Sequence, residues 1–314
     1  MKKYILEDIE KNIEIQKEIK FKINTIAKEL GFATWGVAKV KPQNTVYYLR
    51  EWIQMGCHAD MQWFERSVSE REEILKWFPE AKSIIVFAYN YFHHCHNKQI
   101  AMYAHGYDYH KVINKKIICI STFLSEIIDG FKFKISVDAG HVHEKTWAIR
   151  AGIGWQGKNS LIIHPQLGSW LLLGILAVNI YLIPEQEMNN HCGECNKCIQ
   201  TCPTGAINKE GYIDCRKCIS YHTIENKNEI PLNIQKNIQN TIFGCDICQK
   251  ICPWNQNTTF SKNEKLCILD EIDVDKISNM KTLEFNTYFG ETPLIKSGFN
   301  RIKRNIEIYS KNRE

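Results

Sequence analysis

Nine cysteines fall between Cys192 and Cys252, and their spacing restricts what this part of the chain can become. Cys192, Cys195, Cys198 and Cys202 precede Pro203, forming the C-x2-C-x2-C-x3-C-P run of bacterial ferredoxins. Three closely spaced thiolates can wrap three irons of one cubane, while the fourth, set off by an extra residue and the proline, points toward a second cluster. A partner run, Cys245, Cys248 and Cys252 before Pro253, ends the same way but lacks one cysteine. Cys215 and Cys218 lie between the runs, and either can bring the set to the eight thiolates that two [4Fe–4S] cubanes need. The crossed ligation of two-cluster ferredoxins gives Cys192, Cys195, Cys198 and Cys252 to one cluster. The other takes Cys202, Cys245, Cys248 and one of Cys215 or Cys218. Paired C-x2-C motifs also suit structural zinc, but the triple run with its Cys-Pro end is poorly matched to isolated tetrahedral sites.

The remaining cysteines do not alter this picture. Cys57, Cys95 and Cys119 are scattered and read as small buried side chains, and Cys267 stands apart. An odd total of 13 in a chain of 314 residues is no secreted disulfide framework, so metal ligation in a reducing compartment, the cytoplasm, is expected. The N-terminal MKKYILEDIEKNIE mixes acids into its apolar positions and shows no signal-peptide pattern. The apolar stretch 167–183 is shorter than the roughly 20 residues of a membrane span. Gly168, Gly174 and Asn179 interrupt it, so it reads as buried sheet strands and no membrane is expected. A formal charge of +5 allows a polyanionic partner without demonstrating one.

Upstream, apolar spacing predicts a helix over 8–30, a strand over 32–40, a short helix over 49–55 and a strand over 83–91. A long helix over 109–128 and a strand over 131–137 follow. Strands alternating with helices predict an α/β (α+β) domain over residues 1–185. The polar segment 184–190 marks a boundary, a ferredoxin-like two-[4Fe–4S] domain occupies 186–260, and a short helical tail occupies 261–314. Two adjacent clusters imply one-electron steps from an external low-potential donor, relayed to a further redox centre in the first domain.

Asp138 sits just past a strand, where ligands tend to bind in α/β sheets. By position alone it is as well explained as a turn carboxylate. Gly152, Gly154 and Gly157, then Lys158 and Asn159, form a glycine-rich turn that fits neither a P-loop nor a dinucleotide fingerprint. His141 and His143 read as partly exposed polar residues. Asp108-x-His110 begins like a cobalamin-binding D-x-H-x-x-G pattern, but Ile113 breaks it, and both read as ordinary helix residues.

Several segments together resemble the epoxyqueuosine reductases: VDAG with AGIGWQGKNSLI, GSWLLLG, CGECNKCIQTCPTGAI, CRKCISYHTIE and FGCDICQKICPWN. The resemblance implies a cobalamin-binding domain joined to the two-cluster unit, acting as a monomer on tRNA that carries epoxyqueuosine. It makes Cys218 the eighth ligand and leaves Cys215 a spare, solvent-exposed thiol. It makes Asp138 the proton donor. Cobalamin contacts are implied at Asp138, Trp155, Gly157, Lys158, Asn159, Ile162, Ser220, Cys245, Asp246, Ile247 and Cys248, and a tRNA contact at Lys227. Trp155 and Tyr221 could stack on a base, though core packing explains them as well. Longer members continue into a helical extension, so the tRNA surface is expected to be smaller here, with Arg301, Lys303 and Arg304 serving as phosphate contacts or as a solvated basic face. The competing readings are a dehalogenase-like cobalamin reductase for small molecules, a two-cluster electron carrier, and a zinc-stabilised nucleic-acid-binding module.

Overall fold

The computed structural model describes residues 3–41, 46–138, 140–208, 211–238, 240–263 and 266–313. Its centre is a four-stranded sheet of order β1-β2-β6-β3, where β1 is Thr34–Lys39, β2 Ser83–Asn90, β3 Phe133–Ser136 and β6 Leu171–Val178. All neighbours in this sheet are antiparallel. The strands β4 (Trp155–Gln156) and β5 (Ile162–Ile163) form a separate small hairpin.

Every residue of β2 is buried, because both faces of the sheet are covered. On one face Val37, Ile85, Phe87, Leu176 and Val178 meet the helices Ile13–Glu29 and Tyr109–Ile127 through Ile19, Ile23, Ile113, Ile117 and Leu124. On the other face Ala38, Ile84, Val86, Ile175 and Ala177 meet Trp147 and Ala148 of the helix Glu144–Arg150, with Ile74 and Phe78. The apolar stretch 167–183 therefore supplies a central strand, and no helix among the described residues is long and apolar enough to cross a membrane. Gly174 belongs to this packing: a Cβ there would lie 2.5 Å from Ile113 and 2.6 Å from Ile117. The helix expected over 8–30 is two helices, Leu6–Lys11 and Ile13–Glu29. Asn12 divides them by leaving the helical conformation and accepting the Glu14 and Ile15 N–H groups on its side chain.

The polar boundary segment is tied down by Glu185, whose carboxylate takes the Lys20 ammonium at 2.6 Å and the Val37 N–H at 2.6 Å. Beyond it the cysteine-rich part has only short helices, including Lys197–Thr201, Ile219–Ile224 and Ile247–Lys250. A buried polar network joins it to the sheet domain. Asn255 accepts the Ser169 N–H at 2.7 Å and donates to Ser169 Oγ at 2.9 Å, while Gln249 donates to the Ser169 carbonyl at 2.8 Å. Gly168, at φ +61°, makes room: a Cβ there would sit 2.0 Å from Asn255 Oδ1. The C-terminal helices Thr282–Phe289 and Phe299–Lys311 close a further core in which Phe285, Leu294 and Ile302 enclose Ile100, Ala104, Ile242 and Phe243.

Candidate functional site

Electrostatic proximity sorts the cysteines into two groups. Cys252 senses Cys192 and Cys195, and Cys198 senses Cys192 and Cys252. Cys248 senses Cys245, Cys218 and Cys202, and Cys245 senses Cys218 and Cys202. The groups adjoin, since Cys248 also senses Cys198. Burial pushes the Cys245 thiol up to about 12 and raises those of Cys198, Cys248 and Cys252. Buried thiols this crowded ionise together only around a cationic centre, which is the chemistry a cluster supplies. Cys215 is buried with Met61 and Tyr221 rather than solvent-exposed as expected, its N–H on the Cys57 carbonyl at 2.8 Å, and it adjoins Cys218.

Trp155 packs on Cys252 and Cys192 and edge-on to Trp254, and its buried indole N–H has no hydrogen-bond partner among the described residues. It faces the first cysteine group and is too buried to stack on a base. Lys158 holds the Gly193 carbonyl at 2.7 Å, and Asn159 donates to the Cys248 carbonyl at 3.3 Å, so this turn braces both groups. Gly157 is closely approached by Ile163 and Asn159. Ile162 lies in the core. Asp246 is buried and accepts the Met102 N–H at 2.9 Å, and burial raises its carboxyl. Ile247 opens the short helix after it. Ser220 is half-buried in the helix Ile219–Ile224, and Lys227 is exposed just beyond. Tyr221 is buried, its hydroxyl on Asp60, as core packing requires.

Asp138 closes the other side. It adopts φ 57°, its N–H donates to Glu144 Oε1 at 2.6 Å, and its carboxylate accepts the Tyr109 hydroxyl. His110 Nε2 reaches the same carboxylate oxygen at 3.2 Å. The Asp138 side chain is 59% exposed, yet protein groups ring it closely, so it borders an open cleft. Burial works to raise its carboxyl, but the hydrogen bonds from His110 and Tyr109 prevail and hold it below the usual range. The carboxyl that burial and the Asp138 charge push well up is Glu144.

Asp108 and His110 are not ordinary helix residues. Asp108 caps the helix Tyr109–Ile127 by accepting the His110 N–H at 3.1 Å, and its carboxylate also lies 2.7 Å from His110 Nδ1. With a carboxylate at each ring nitrogen, the imidazole satisfies both only when it carries both protons. Burial opposes that charge, but Asp108 and Asp138 outweigh it and raise the His110 pKa. Lys145, which senses Asp138 and Cys215, also faces this network, as does Tyr103, which senses Asp138, Asp246 and Glu225. Sequence reading passed over Tyr109, His110 and Lys145; the Asp-x-His pair was the one visible signal. His143 turns away to Thr146 at 2.6 Å, and burial pushes its pKa down to about 3. His141 lies 3.9 Å from Glu70. Arg301 and Arg304 are committed to main-chain carbonyls, Arg301 to Ile224 at 2.8 Å and Arg304 to His222 at 2.8 Å, which takes them out of a phosphate-binding face.

Carboxylate, tyrosine, imidazole and ammonium are thus gathered around Asp138. Two adjoining groups of cysteines, together with this hydrogen-bonded network, define an iron–sulfur protein of the redox class. Comparison with known proteins agrees: residues 191–255 match the 4Fe-4S double cluster binding domain, and residues 71–139 match Epoxyqueuosine reductase QueG, DUF1730. The epoxyqueuosine reductase of Synechocystis sp. is 41% identical over 70% of this chain and 78% of its own length. That of Atelocyanobacterium thalassa is 34% identical over 94% and 99%. A crystal structure of epoxyqueuosine reductase with an epoxyqueuosine-modified tRNA-Tyr stem loop superposes with TM-score 0.89 at 26% identity, covering 95% of this chain and 82% of that one. The chain belongs to the epoxyqueuosine reductase family, whose members are oxidoreductases.

Proposed function

We propose that this protein reduces epoxyqueuosine in a tRNA anticodon loop to queuosine, with cobalamin between the clusters and the substrate. The observation that carries the reading is the Asp138–Tyr109–His110 network, with Tyr103 near both Asp138 and Asp246, the residue that follows Cys245. Cys192, Cys195, Cys198 and Cys252 hold one [4Fe–4S] cluster, and Cys202, Cys218, Cys245 and Cys248 the other. A cavity of about 260 Å³ beside Tyr103 and Tyr109 is below the roughly 300–1,000 Å³ of drug-sized ligand pockets, so a corrinoid belongs in the open cleft. The Asp138 carboxylate faces that cleft, which is the feature that fits such a group. Asp138, the glycine-rich turn 157–159, Ser220 and the turn 245–248 would hold it. When bound, cobalamin supplies a strongly reducing cobalt centre.

Removing an epoxide oxygen as water takes up two electrons and two protons. An external low-potential donor would supply the electrons, and clusters held by the two cysteine groups would carry them one at a time. Asp138 rests ionised, so the proton that turns the departing oxygen into a hydroxyl comes from the His110 imidazolium and passes across the Asp138 carboxylate. A second proton drawn from solvent through His110 lets that hydroxyl leave as water. Lys227, exposed and near enough to influence Glu225, which in turn senses Asp138, would meet the phosphates of a polyanion. The tRNA substrate and unpaired thiols suit a reducing cytoplasm. The test is anaerobic incubation with cobalamin, reductant and epoxyqueuosine-containing tRNA, with nucleoside masses read out. The expected product is queuosine, at a mass lower by one oxygen. Unchanged tRNA alongside turnover of halogenated organics would overturn the assignment in favour of a small-molecule reductase.

A further inference from the structure

Outside the cysteine-rich part, His93, Cys95, His105 and Cys267 converge, with one ligand atom from each within 4.8 Å of all the others. His93, Cys95 and His105 come from the loop after β2, and Cys267 from the segment leading to the C-terminal helices. The hydrogen bonds determine the ring protonation. His93 Nδ1 lies 2.7 Å from the Tyr91 carbonyl, and His105 Nε2 lies 2.8 Å from the Ile100 carbonyl. A carbonyl only accepts, so each of these nitrogens carries the hydrogen of its neutral ring. The other two nitrogens, His93 Nε2 and His105 Nδ1, then present lone pairs to one another at 3.2 Å. Two acceptors at that distance repel unless a cation lies between them. A second ring proton is a poor candidate here, because His105 is buried at 2% exposure.

We propose that these four residues form a Cys2His2 site for a single zinc ion, separate from both clusters. Tetrahedral zinc with Zn–N bonds of about 2.0–2.1 Å places two ring nitrogens about 3.3 Å apart, close to the spacing found. The carbonyl contacts of the two rings are the outer partners that fix tautomer and aim in histidine–metal sites. Two sulfurs and two imidazoles favour zinc over oxygen-seeking cations, and donors this close surround one ion rather than a cubane. Binding releases the two thiol protons to solvent and changes no oxidation state. Asp270 completes the surroundings: it lies 3.4 Å from the Cys267 sulfur and accepts the His96 N–H at 2.8 Å.

The site has a structural consequence. The His105 carbonyl accepts the N–H groups of Ile268 and Leu269, each at 3.0 Å, and Asn97 donates to the Leu269 carbonyl at 2.8 Å. Zinc would lock this junction, which carries Met102 to Asp246 and Tyr103 to the cleft.

The experiment uses intact protein purified anaerobically, supplied with zinc, and dialysed against a weak chelator. Metals are counted by plasma mass spectrometry, and the zinc environment is read by X-ray absorption, which iron does not obscure. The expected result is one zinc per chain in addition to cluster iron, with a shell of two sulfurs and two nitrogens. Cys267→Ser and His93→Gln should lose the zinc and keep the iron. Should a variant not fold, the wild-type absorption spectrum decides alone. Wild-type protein without stoichiometric zinc, zinc in a four-sulfur shell, or a Cys95–Cys267 disulfide in alkylated anaerobic protein would each overturn the proposal.

Discussion

Replacing His110 with Gln removes the charge behind Asp138 while keeping a side chain able to hydrogen bond. A hydrogen bond to a charged group is worth about 1.5–3 kcal/mol when shielded. The contact is 3.2 Å long, but the Asp138 side chain is 59% exposed, and solvent screening brings the coupling down to about 1–2 kcal/mol. That corresponds to a roughly 5- to 30-fold fall in turnover. Asp138→Asn, which removes the carboxylate that passes the proton on, should cost about 10²–10⁴-fold. Because the two residues act as one relay, the double variant should be no slower than Asp138→Asn. The assay is anaerobic turnover against pH, with iron content and tRNA affinity as controls. His110 has a raised pKa, so its charged form is complete at low pH and is lost as pH rises through the shifted value. Wild-type kcat should therefore fall on a basic limb above the ordinary histidine range, and His110→Gln should abolish that limb while leaving KM nearly unchanged. A His110→Gln enzyme with full kcat and the same basic limb would refute the relay.

Three further outcomes follow from the packing. Cys218→Ala should lose about half of the bound iron, whereas Cys215→Ala should keep it; iron analysis giving the reverse would exchange their roles. Asn255→Ala leaves the buried Ser169 N–H and Gln249 carbonyl unpaired and should cost about 2–4 kcal/mol, seen as a lower denaturation midpoint with an unchanged slope. Arg304→Ala frees the carbonyls of His222 and Asn226, and should cost about 1–3 kcal/mol and weaken tRNA binding only indirectly, so Lys227→Ala should reduce the salt dependence of binding while Arg304→Ala should not.

The cluster-forming part was legible because cluster ligation is largely local. Spacings such as those of Cys192, Cys195 and Cys198 state the ligand set directly, and even the crossed partner Cys252 follows from a known rule. The helix Tyr109–Ile127 and the strands β2 and β6 were legible for a similar reason, since periodicity and β-rich runs record burial residue by residue. Distant convergence is not recorded that way. Spacing alone left Cys215 and Cys218 open, and in the fold Cys218 adjoins Cys202, Cys245 and Cys248, whereas Cys215 reaches only Cys218 and Cys57 among the described cysteines. Asp108 and His110 looked ordinary because Asp138, the carboxylate at the other ring nitrogen of His110, is delivered by a different strand end. Cys95 and Cys267 looked like stray thiols because a loop after β2 and a C-terminal segment meet only in the folded chain. Arg301 and Arg304 could be read as phosphate contacts or as a solvated basic face until the main-chain carbonyls of another segment were placed against them. Sequence alone thus determined what local spacing can encode: the double-cluster character of the cysteine-rich part and the principal helices and strands. Tertiary structure decided which remote side chains share a site, because contact between them depends on how the whole chain closes.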